Sequence, residues 1–302
     1  MSEHSKVSVN APSQADSVNF FREASPYVRQ HQKRIFVIAF PGEVIGLENF
    51  RRIIQDIAII AALGARVVLV HGMRSQINTR LEAQNHPAHF HNGLRITDHA
   101  SLVAAKETCG YLRIEIENLL SFALAQPGFS QKGQIVTSGN FITARPVGVL
   151  EGVDYGYTGH IRRIHHDHIL TQLDHERIVL LSPLGYSPTG ETYNLNYEQL
   201  AIEAAQVLSA DKVLMLSDAA IDLPASLTLE EARQCRDQHP LLPQIIDALE
   251  NKVGRVHLLD ANTDGALLME LYTRRGVGSM IAANASEAIR PATVEDIGGI
   301  ME

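Results

Sequence analysis

Short apolar runs and amphipathic stretches alternate along most of this chain. Runs such as VIAF and VVLV are apolar throughout, whereas the stretches between them carry apolar residues on one helical face only. Strands covered on both sides are apolar at every position, and a helix lying on a sheet needs a single apolar stripe. The alternation therefore predicts an α/β fold, a three-layer αβα sandwich around a mainly parallel sheet.

The predicted elements follow this pattern. The predicted strands are RIFVIAF, ARVVLVHG, RIVLLSPLG, TYNLNY, KVLMLS, RVHLLD and residues 278–282. The predicted helices are LENFRRIIQDIAIIAALG, which Gly64 ends, SQINTRLEAQNH, and a long helix over roughly residues 100–125. GQIVTSGNFITARPV is predicted to form paired strands, and residues 226–252 a helix that proline interrupts.

The N-terminal region divides into a polar tail and a helix. Residues 1–17 are predicted to form a disordered tail, and 18–33 an N-terminal helix for assembly. Asp16 or Ser17 is a candidate cap for this helix. Pro26 falls inside it, so a kink or two short helices are expected.

Aromatic residues recur along the N-terminal helix at roughly helical spacing. Phe20, Phe21 and Tyr27 form this stripe. An apolar stripe of this size is suited to packing against a partner subunit. The alternative is that it packs onto its own domain, and the sequence leaves both open.

Composition narrows the function classes. The chain has 302 residues, a formal net charge of −8 and a sequence pI of about 6.0, which argues against a nucleic-acid-binding surface. No apolar stretch approaches the length of a membrane span, and the N-terminus has no apolar core of a secretory signal. Cys109 and Cys235 are far apart and predicted to be free thiols. We therefore expect a cytoplasmic protein with no nucleic-acid or membrane partner.

Histidines cluster at two places. The segments are HHDH, residues 165–168, and AQNHPAHFHNG. Within HHDH only His165 and His168 share a helical face, and no cysteine supports a metal site. Surface histidines without a metal are the expected outcome.

The loops after the predicted strands are the candidate ligand sites, because ligands of open α/β sheets bind at the carboxyl ends of the strands. These loops are AFPGEVIG, VHGMRSQI, SGNF, SPLGYSPTGETYNLN and LSDAA. The segments VHG, NGLRIT, YNLNYEQLA and DKVLMLSDAA also stand in the order seen in the amino-acid kinase family, and most resemble acetylglutamate kinase.

The resemblance also shows where a kinase site is lost. In acetylglutamate kinases the corresponding loops carry a lysine and several glycines that bind the nucleotide. Alanine supplies no charge, proline supplies no N–H donor, and Glu43 would repel a triphosphate. The residues of this degenerate nucleotide site are Ala39, Pro41, Gly42, Gly72, Met73 and Glu198. The alternative is a functional acetylglutamate kinase that phosphorylates N-acetyl-L-glutamate with ATP.

A larger set of segments resembles bacterial N-acetylglutamate synthases with a kinase-like N-terminal domain. They are FREASPYV, IAFPGE, LENF, NGLRITD, SGNFITARPVGV, GVDYGYTGHIRRI, DGALLMELYTRRGVGSMI and IRPATVEDIGGI. The resemblance implies a kinase-like domain over 34–288 and the start of a truncated acetyltransferase domain over 289–302. That family converts acetyl-CoA and L-glutamate to N-acetyl-L-glutamate, the first step of arginine biosynthesis.

The catalytic residues of that reaction are expected to lie outside this chain. The string nearest to a CoA-binding loop is TRRGVGS, which has Thr273 where glutamine or arginine is needed. No catalytic residue and no cofactor is therefore predicted here, and acetyl-CoA would be the co-substrate of the missing domain. A truncated chain, a frameshift product and one half of a split enzyme, with an acetyltransferase domain in cis or in trans, all fit this pattern.

The resemblance implies an L-arginine effector site. Free arginine needs a carboxylate for its guanidinium and N–H donors or a cation for its carboxylate. Glu270 is the candidate for the first role and the turn of Gly276 and Gly278 for the second, with Tyr27 from the N-terminal helix. Arg275 departs from the acidic residue expected there. The family also implies a homo-oligomer, with a hexamer expected.

A second ligand site is implied by the kinase resemblance. Arg95 matches the kinase residue that holds the acetylglutamate carboxylate, and Asn194 and Asn196 match the asparagine pair beside it. These residues are candidates for a vestigial amino-acid pocket. A structural ion pair of Arg95 is the alternative.

Overall fold

The computed structural model describes residues 14–126, 135–251 and 253–283. Its strands are β1 (Ile35–Phe40), β2 (Arg66–His71), β3 (His89–His91), β4 (Leu94–Ile96), β5 (Val136–Ser138), β6 (Ile142–Pro146), β7 (Val149–Leu150), β8 (Val153–Asp154), β9 (Gly159–Ile164), β10 (Ile178–Leu181), β11 (Leu184–Tyr186), β12 (Thr192–Asn194), β13 (Lys212–Ser217), β14 (Ser226–Thr228), β15 (Arg255–Asp260) and β16 (Ser279–Ala282). Its α-helices are α1 (Gln14–His31), α2 (Gly42–Ile45), α3 (Phe50–Ala62), α4 (Arg74–Ala83), α5 (His99–Leu124), α6 (His166–Asp174), α7 (Tyr197–Val207), α8 (Leu229–Gln234), α9 (Leu242–Glu250) and α10 (Ala266–Tyr272).

An eight-stranded sheet with the order β14-β16-β15-β13-β1-β2-β10-β5 forms the middle layer. The strands from β15 to β5 run parallel, and β16 is antiparallel to β15. The predicted mainly parallel sheet is confirmed.

Side chains of the central strands alternate between two apolar cores. In β1, Val37 and Ala39 face the core that includes residues of α6, α7 and α9. Phe36 and Ile38 face the core that includes residues of α3, α5 and α10. Both faces of the sheet are therefore covered by helices, which confirms the αβα sandwich and explains why β1 is apolar throughout.

A second sheet, with the order β12-β11-β6-β9, accounts for one wrong prediction. GQIVTSGNFITARPV was expected to form paired strands, but β5 and β6 belong to different sheets. β5 pairs with β10 at the edge of the main sheet, whereas β6 pairs with β9 and β11. The two strands take these partners because Ile142 and Ala144 are buried in the core below the second sheet.

The prediction of an interrupted helix over 226–252 is also partly wrong. Its first residues form the edge strand β14, which pairs with β16 and buries Leu227 in the core. α8 begins only after Thr228, because Thr228 and Glu231 form a capping box that fixes the helix start there. A short 3₁₀ helix, Arg236–Gln238, separates α8 from α9.

The N-terminal helix differs from its prediction at both ends and at its centre. It runs from Gln14 to His31, so residues 14–17 of the predicted tail are helical, and residues 1–13 lie outside the described residues. Pro26 lies inside this one helix and does not divide it in two. The chain around Arg22 is exposed, so water can reach the carbonyl group that Pro26 leaves without a donor.

The aromatic stripe of α1 was expected to pack either on a partner subunit or on its own domain, and its residues differ in this respect. Tyr27 packs against the core of its own domain beside the buried Ala24. Phe20 and Phe21 are 50% and 70% exposed.

The expected start of an acetyltransferase domain at 289–302 lies outside the described residues. None of the helices in the described ranges has the length and apolar character of a membrane span.

Candidate functional sites at two ends of the sheet

The three residues predicted for the amino-acid pocket come together at the carboxyl ends of the strands. Arg95 on β4, Asn194 at the end of β12 and Asn196 before α7 line one cavity of about 50 Å³. Gly72, after β2, lines the same cavity. The second sheet and the β3–β4 hairpin therefore form one wall of a cleft above the main sheet.

Arg95 is a buried cation with one unused donor. Its side chain donates from Nη2 to Asn78 Oδ1 at 2.5 Å and to the Arg74 carbonyl oxygen at 3.3 Å. Its guanidinium carbon lies 4.6 Å from the centre of the Phe90 ring. Nη1 is buried and has no hydrogen-bond partner among the described residues. Burial, and then the charge of Arg74, lower the pKa of Arg95 to about 10, so it stays protonated at neutral pH.

The two asparagines are held by local contacts. Asn194 donates from Nδ2 to Thr97 Oγ1 at 3.2 Å. Asn196 is the N-cap of α7, and its Oδ1 accepts the backbone N–H of Gln199 at 2.7 Å. The cap therefore occupies the carbonyl oxygen of Asn196, an arrangement that the sequence prediction did not include.

Most residues of the predicted degenerate nucleotide site line a second cavity, of about 250 Å³. Pro41, Gly42, Glu43, Gly72 and Glu198 are among its lining residues. A Cβ atom on Gly72 would lie 2.8 Å from the backbone nitrogen of Gly42, so the two glycine loops are in direct contact. The two loops therefore pack together along one side of this cavity.

Ala39 and Met73, both predicted for the degenerate site, are buried in the protein interior. Ala39 is fully buried near the carboxyl end of β1, and Met73 is 3% exposed in a small apolar core with Ile77 and Leu81. Burial raises the pKa of Glu198, and the nearby Glu43 adds to this effect. The loss of kinase activity stays a prediction, because the geometry only shows what a nucleotide would meet.

The residues predicted for the arginine site lie beside α10 and β15, and Glu270 and the glycine turn line neither of these two cavities. Glu270, on α10, is 6% exposed at its side chain. Its Oε1 lies 2.6 Å from His257 Nδ1, and its Oε2 accepts the N–H groups of Val277 and Gly278 at 2.9 Å each. Burial raises the pKa of Glu270, but these hydrogen-bond donors have the larger and opposite effect. The pKa therefore falls from 4.5 to about 2.

The glycine turn makes a contact that the sequence did not predict. It was expected to bind the carboxylate of arginine, and the N–H groups of Val277 and Gly278 bind Glu270. Gly276 has a φ of +62°, a left-handed conformation that favours glycine. A Cβ atom on Gly276 would also collide with the Glu270 carboxylate. The turn is therefore a support for Glu270.

Several buried polar atoms around Glu270 have no hydrogen-bond partner among the described residues. They are His31 Nδ1, His257 Nε2 and the Tyr272 hydroxyl. Burial lowers the pKa of His257, so its ring is neutral: Nδ1 donates to Glu270 and Nε2 is left as an acceptor. Buried polar atoms without partners are rare in proteins, and a group of them indicates a place for a ligand or water.

α1 completes this cluster. The His31 ring lies 5.4 Å from the Tyr272 ring and 5.2 Å from the Phe36 ring. Tyr27, the remaining predicted residue, packs against the same core one helical turn earlier. Lys212, at the start of β13, is close enough to Glu270 that the carboxylate raises its pKa, although burial lowers it overall.

Sequence reasoning missed His31, His257, Lys212 and Tyr272. A signal for His257 was available, since a histidine inside the apolar strand RVHLLD is a buried polar residue that needs a partner. The other residues reach the cluster through the packing of α1 and α10 on the sheet, which no local pattern indicates.

The histidine clusters show no metal geometry. His165 is the N-cap residue of α6, and its ring centre lies 6.1 Å from that of His168. His91 Nδ1 forms a hydrogen bond of 2.8 Å with the Tyr155 hydroxyl. Over the described ranges, no group of three or more His, Cys, Asp and Glu residues is placed to hold a metal ion.

Comparisons with known proteins agree with this architecture. The Amino acid kinase family matches residues 34–221. An amino-acid acetyltransferase of Ectopseudomonas mendocina is 46% identical over 299 residues, which is 95% of this chain and 69% of that protein. An amino-acid acetyltransferase of Pseudomonas fluorescens is 44% identical and covers 94% of this chain and 69% of its own length. The crystal structure of N-acetylglutamate synthase from Neisseria gonorrhoeae, complexed with coenzyme A and L-arginine, superposes with a TM-score of 0.83 at 36% identity, covering 94% of this chain and 69% of that one.

Proposed function

The chain belongs to the amino acid kinase family and, within it, to the amino-acid acetyltransferases of the N-acetylglutamate synthase type, and on that premise we propose that its sheet and helices form an L-arginine sensor. The sensor would regulate the synthesis of N-acetyl-L-glutamate from acetyl-CoA and L-glutamate. The proposed sensor itself needs no cofactor.

The observation that carries this proposal is the buried acceptor cluster around Glu270. The ionised Glu270 carboxylate and the neutral His257 Nε2 both accept hydrogen bonds, and Nε2 has no donor among the described residues. A carboxylate has about four acceptor positions, of which His257 and the two turn N–H groups occupy three. A guanidinium group, with five N–H donors in one plane, is suited to the acceptors that remain.

The rest of an arginine molecule also finds complementary groups. Lys212 supplies a cation near Glu270, and the Tyr272 hydroxyl, whose pKa burial raises to about 12, stays protonated and can donate. Both are suited to a carboxylate. The relative from Neisseria gonorrhoeae was crystallised with L-arginine, which supports the choice of this ligand.

The alternative of an active acetylglutamate kinase has less support. Phosphoryl transfer depends on cations and N–H donors arranged around the phosphates. The corresponding part of this cleft has Glu43 and Glu198 among its lining residues, and Ala39 is buried in the sheet. We therefore propose that the kinase-like cleft does not transfer phosphate.

Thermal unfolding with L-arginine tests the proposal. A ligand that binds only the folded state stabilises it by about 2.7 kcal/mol at a hundredfold excess over its Kd. We expect L-arginine to raise the melting temperature and Mg-ATP to leave it unchanged. Glu270→Gln should abolish the L-arginine effect, whereas Glu203→Gln, which removes a carboxylate from α7, should retain it.

The reverse pattern would overturn the proposal. A shift with Mg-ATP and none with L-arginine would mean that the cleft is a nucleotide site. Should Glu270→Gln fail to fold, Tyr272→Phe offers a milder change that removes one buried hydroxyl and should weaken L-arginine binding.

A further inference from the structure

A third cavity, of about 570 Å³, lies between α7 and α9. Side chains from one face of each helix line it, and Leu94 of β4 contributes at one side. It shares Leu94 and Asn196 with the smaller cavity of the cleft, whereas Arg95 is not among its described lining residues. Small-molecule sites typically occupy about 300–1,000 Å³, so this cavity has room for a small organic ligand.

The charged groups in this cavity are carboxylates. Glu203 on α7 and Asp247 on α9 line it, and the described lining residues include no lysine, arginine or histidine. Glu203 Oε1 accepts a hydrogen bond from Gln199 Nε2 at 2.8 Å, and Asp247 Oδ1 accepts one from Asn251 Nδ2 at 3.2 Å. Burial raises the pKa of Glu203, because these neutral amides do not replace a counter-ion. A cation in the cavity would stabilise the ionised form of both carboxyl groups.

The amide groups that line the cavity use their N–H donors within the protein. Gln206 Nε2 donates to the Asn251 carbonyl oxygen at 2.8 Å, and Asn251 Nδ2 donates to the Asp247 carbonyl oxygen at 2.8 Å. Gln244 Oε1 is buried and has no hydrogen-bond partner among the described residues. A buried acceptor without a donor costs free energy, so the cavity favours a ligand that brings N–H groups.

The ends of both helices add to the negative potential. Gln206 and Val207 belong to the last turn of α7, Asn251 is the C-cap residue of α9, and all three line the cavity. Neither helix has a basic residue in its last turn, over the residues that the structure describes. The C-terminal end of a helix carries a partial negative charge, which a cation stabilises.

The remaining lining residues specify the rest of the ligand. Apolar side chains contribute to both walls, and they are Leu94, Ile202, Val207 and Pro243. They are suited to a hydrocarbon chain, whereas a carboxylate on the ligand would meet two carboxylates and no cation among the described lining residues. The requirement is therefore for an aliphatic chain that carries N–H cations and no acidic group.

We propose that the cavity between α7 and α9 binds an aliphatic diamine, with one ammonium group at Glu203, the other at Asp247 and the methylene chain against Ile202 and Pro243. An ammonium group has three N–H donors, so it can also reach the unpartnered oxygen of Gln244. Glu270 does not line this cavity, and the proposal does not depend on the arginine sensor.

Isothermal titration calorimetry at pH 7.5 with 1,4-diaminobutane and 1,5-diaminopentane tests the proposal. We expect saturable binding that weakens as the salt concentration rises, because the contacts are between charges. L-Ornithine and L-lysine are the matched probes, since each adds one carboxylate to the same chain. As competitors of the diamines they should be at least about tenfold weaker, because that carboxylate is repelled.

Variants assign the binding to this cavity. Glu203→Gln should weaken diamine binding about tenfold, because it removes the partner of one ammonium group. Glu82→Gln is the matched control, since it removes an exposed carboxylate from α4 and should leave binding unchanged. Glu270→Gln should also leave it unchanged, which separates this site from the arginine sensor.

Gln244→Leu separates a binding role from a structural one. It removes the buried oxygen that has no partner, so it should not lower the melting temperature of the free protein. It should nevertheless weaken diamine binding about threefold or more, because an acceptor for the ammonium group is lost.

Three results would overturn the proposal. They are the absence of saturable binding of both diamines, L-lysine that competes as well as 1,5-diaminopentane, and a Glu203→Gln variant that binds as tightly as Glu82→Gln. Should Glu203→Gln fail to fold, Asp247→Asn changes an exposed side chain at the other wall and should weaken diamine binding about threefold. An unchanged affinity in that variant would count equally against the proposal.

Discussion

At the scale of single residues, buried polar side chains mark both candidate sites. Arg95 sits in the cleft, and Glu270 with His257 sits below α10, each with hydrogen-bonding capacity that the described residues do not use. Burying such groups costs free energy unless a partner is present. Their retention in an otherwise apolar interior is the feature that points to ligands.

A substitution of Gly278 tests whether the glycine turn holds the Glu270 carboxylate in place. A Cβ atom there would lie 2.6 Å from the Leu258 carbonyl oxygen and would collide with the Leu259 side chain. We expect Gly278→Ala to lower the free energy of unfolding by about 1–3 kcal/mol, measured by urea denaturation, and to weaken L-arginine binding. The control is Gly110→Ala in α5, where a Cβ atom meets nothing within 4 Å and stability should be unchanged or higher. Equal effects of the two substitutions would contradict this prediction.

His71 makes stability depend on pH. It is fully buried at the end of β2 and bonded through Nε2 to Ser182 Oγ at 2.8 Å, and burial lowers its pKa from 6.5 to about 4. As the pH falls, His71 is therefore protonated at a higher pH in the unfolded chain than in the folded protein. The stability that this neutral histidine contributes is present above pH 6.5 and is lost as the pH falls toward 4, by about 3 kcal/mol in total.

Urea denaturation across this pH window measures the effect. The His71→Asn variant should be less stable at pH 7 but should lose less stability between pH 6.5 and 4. A variant with the same pH dependence as the parent protein would show that other groups cause it.

The sequence predicted the positions of the site residues more accurately than the role of each residue. Arg95, Asn194 and Asn196 line one cavity, as the resemblance implied. Glu270 and the glycine turn are together, but they bind each other. The position follows from the order of motifs along the chain, whereas the hydrogen-bond partners depend on how α10 packs against β15 and β16.

At the scale of elements, local signals determine where α5 and α8 begin, and packing determines which sheet a strand joins. Thr228 and Asp98 both cap the helix that follows through a side-chain hydrogen bond. Such signals are encoded within a few residues, although the prediction of a helix over 226–252 overlooked the one at Thr228. The assignment of β5 and β6 to different sheets depends on distant partners such as β10, so a single sequence could not predict it.

Asp98 provides a test of such a local signal. Its carboxylate accepts the backbone N–H of Ser101 at 2.8 Å, at the start of α5, and lies 2.7 Å from His86 Nε2. We expect Asp98→Ala to lower the free energy of unfolding by about 1 kcal/mol, measured by urea denaturation, because the cap is lost. Asp98→Asn keeps a capping oxygen and should cost much less, and a similar loss in both variants would argue against the cap as the cause.

At the scale of the whole molecule, the arrangement of layers could be predicted from the sequence, and the homo-oligomer is a prediction that concerns its surface. The alternation of apolar runs and amphipathic stretches was enough to predict the three-layer sandwich, because both faces of a parallel sheet must be covered. Assembly depends on surfaces, and α1 presents Phe20 and Phe21 to solvent while its other face packs on the domain.

These two side chains test the predicted homo-oligomer. If α1 packs against partner subunits, Phe20→Glu combined with Phe21→Glu should produce a smaller species in analytical ultracentrifugation, because buried charges oppose association. The melting temperature of the subunit should change little, since both side chains are exposed. Val149→Glu, at a 69% exposed position on β7, is the control, and an unchanged mass for the α1 variant would exclude α1 as the interface.

The place where α1 and β16 meet the sheet has a mechanical consequence. α1 ends with His31 against Tyr272 of α10, and Glu270 of α10 accepts the N–H groups of Val277 and Gly278 in the turn that precedes β16. α10 therefore contacts both the first helix and the turn before the last strand of the described fold. A ligand bound at Glu270 would stabilise both contacts of α10, and the amide protons of α1 and β16 should then exchange with solvent more slowly, and together, as it binds.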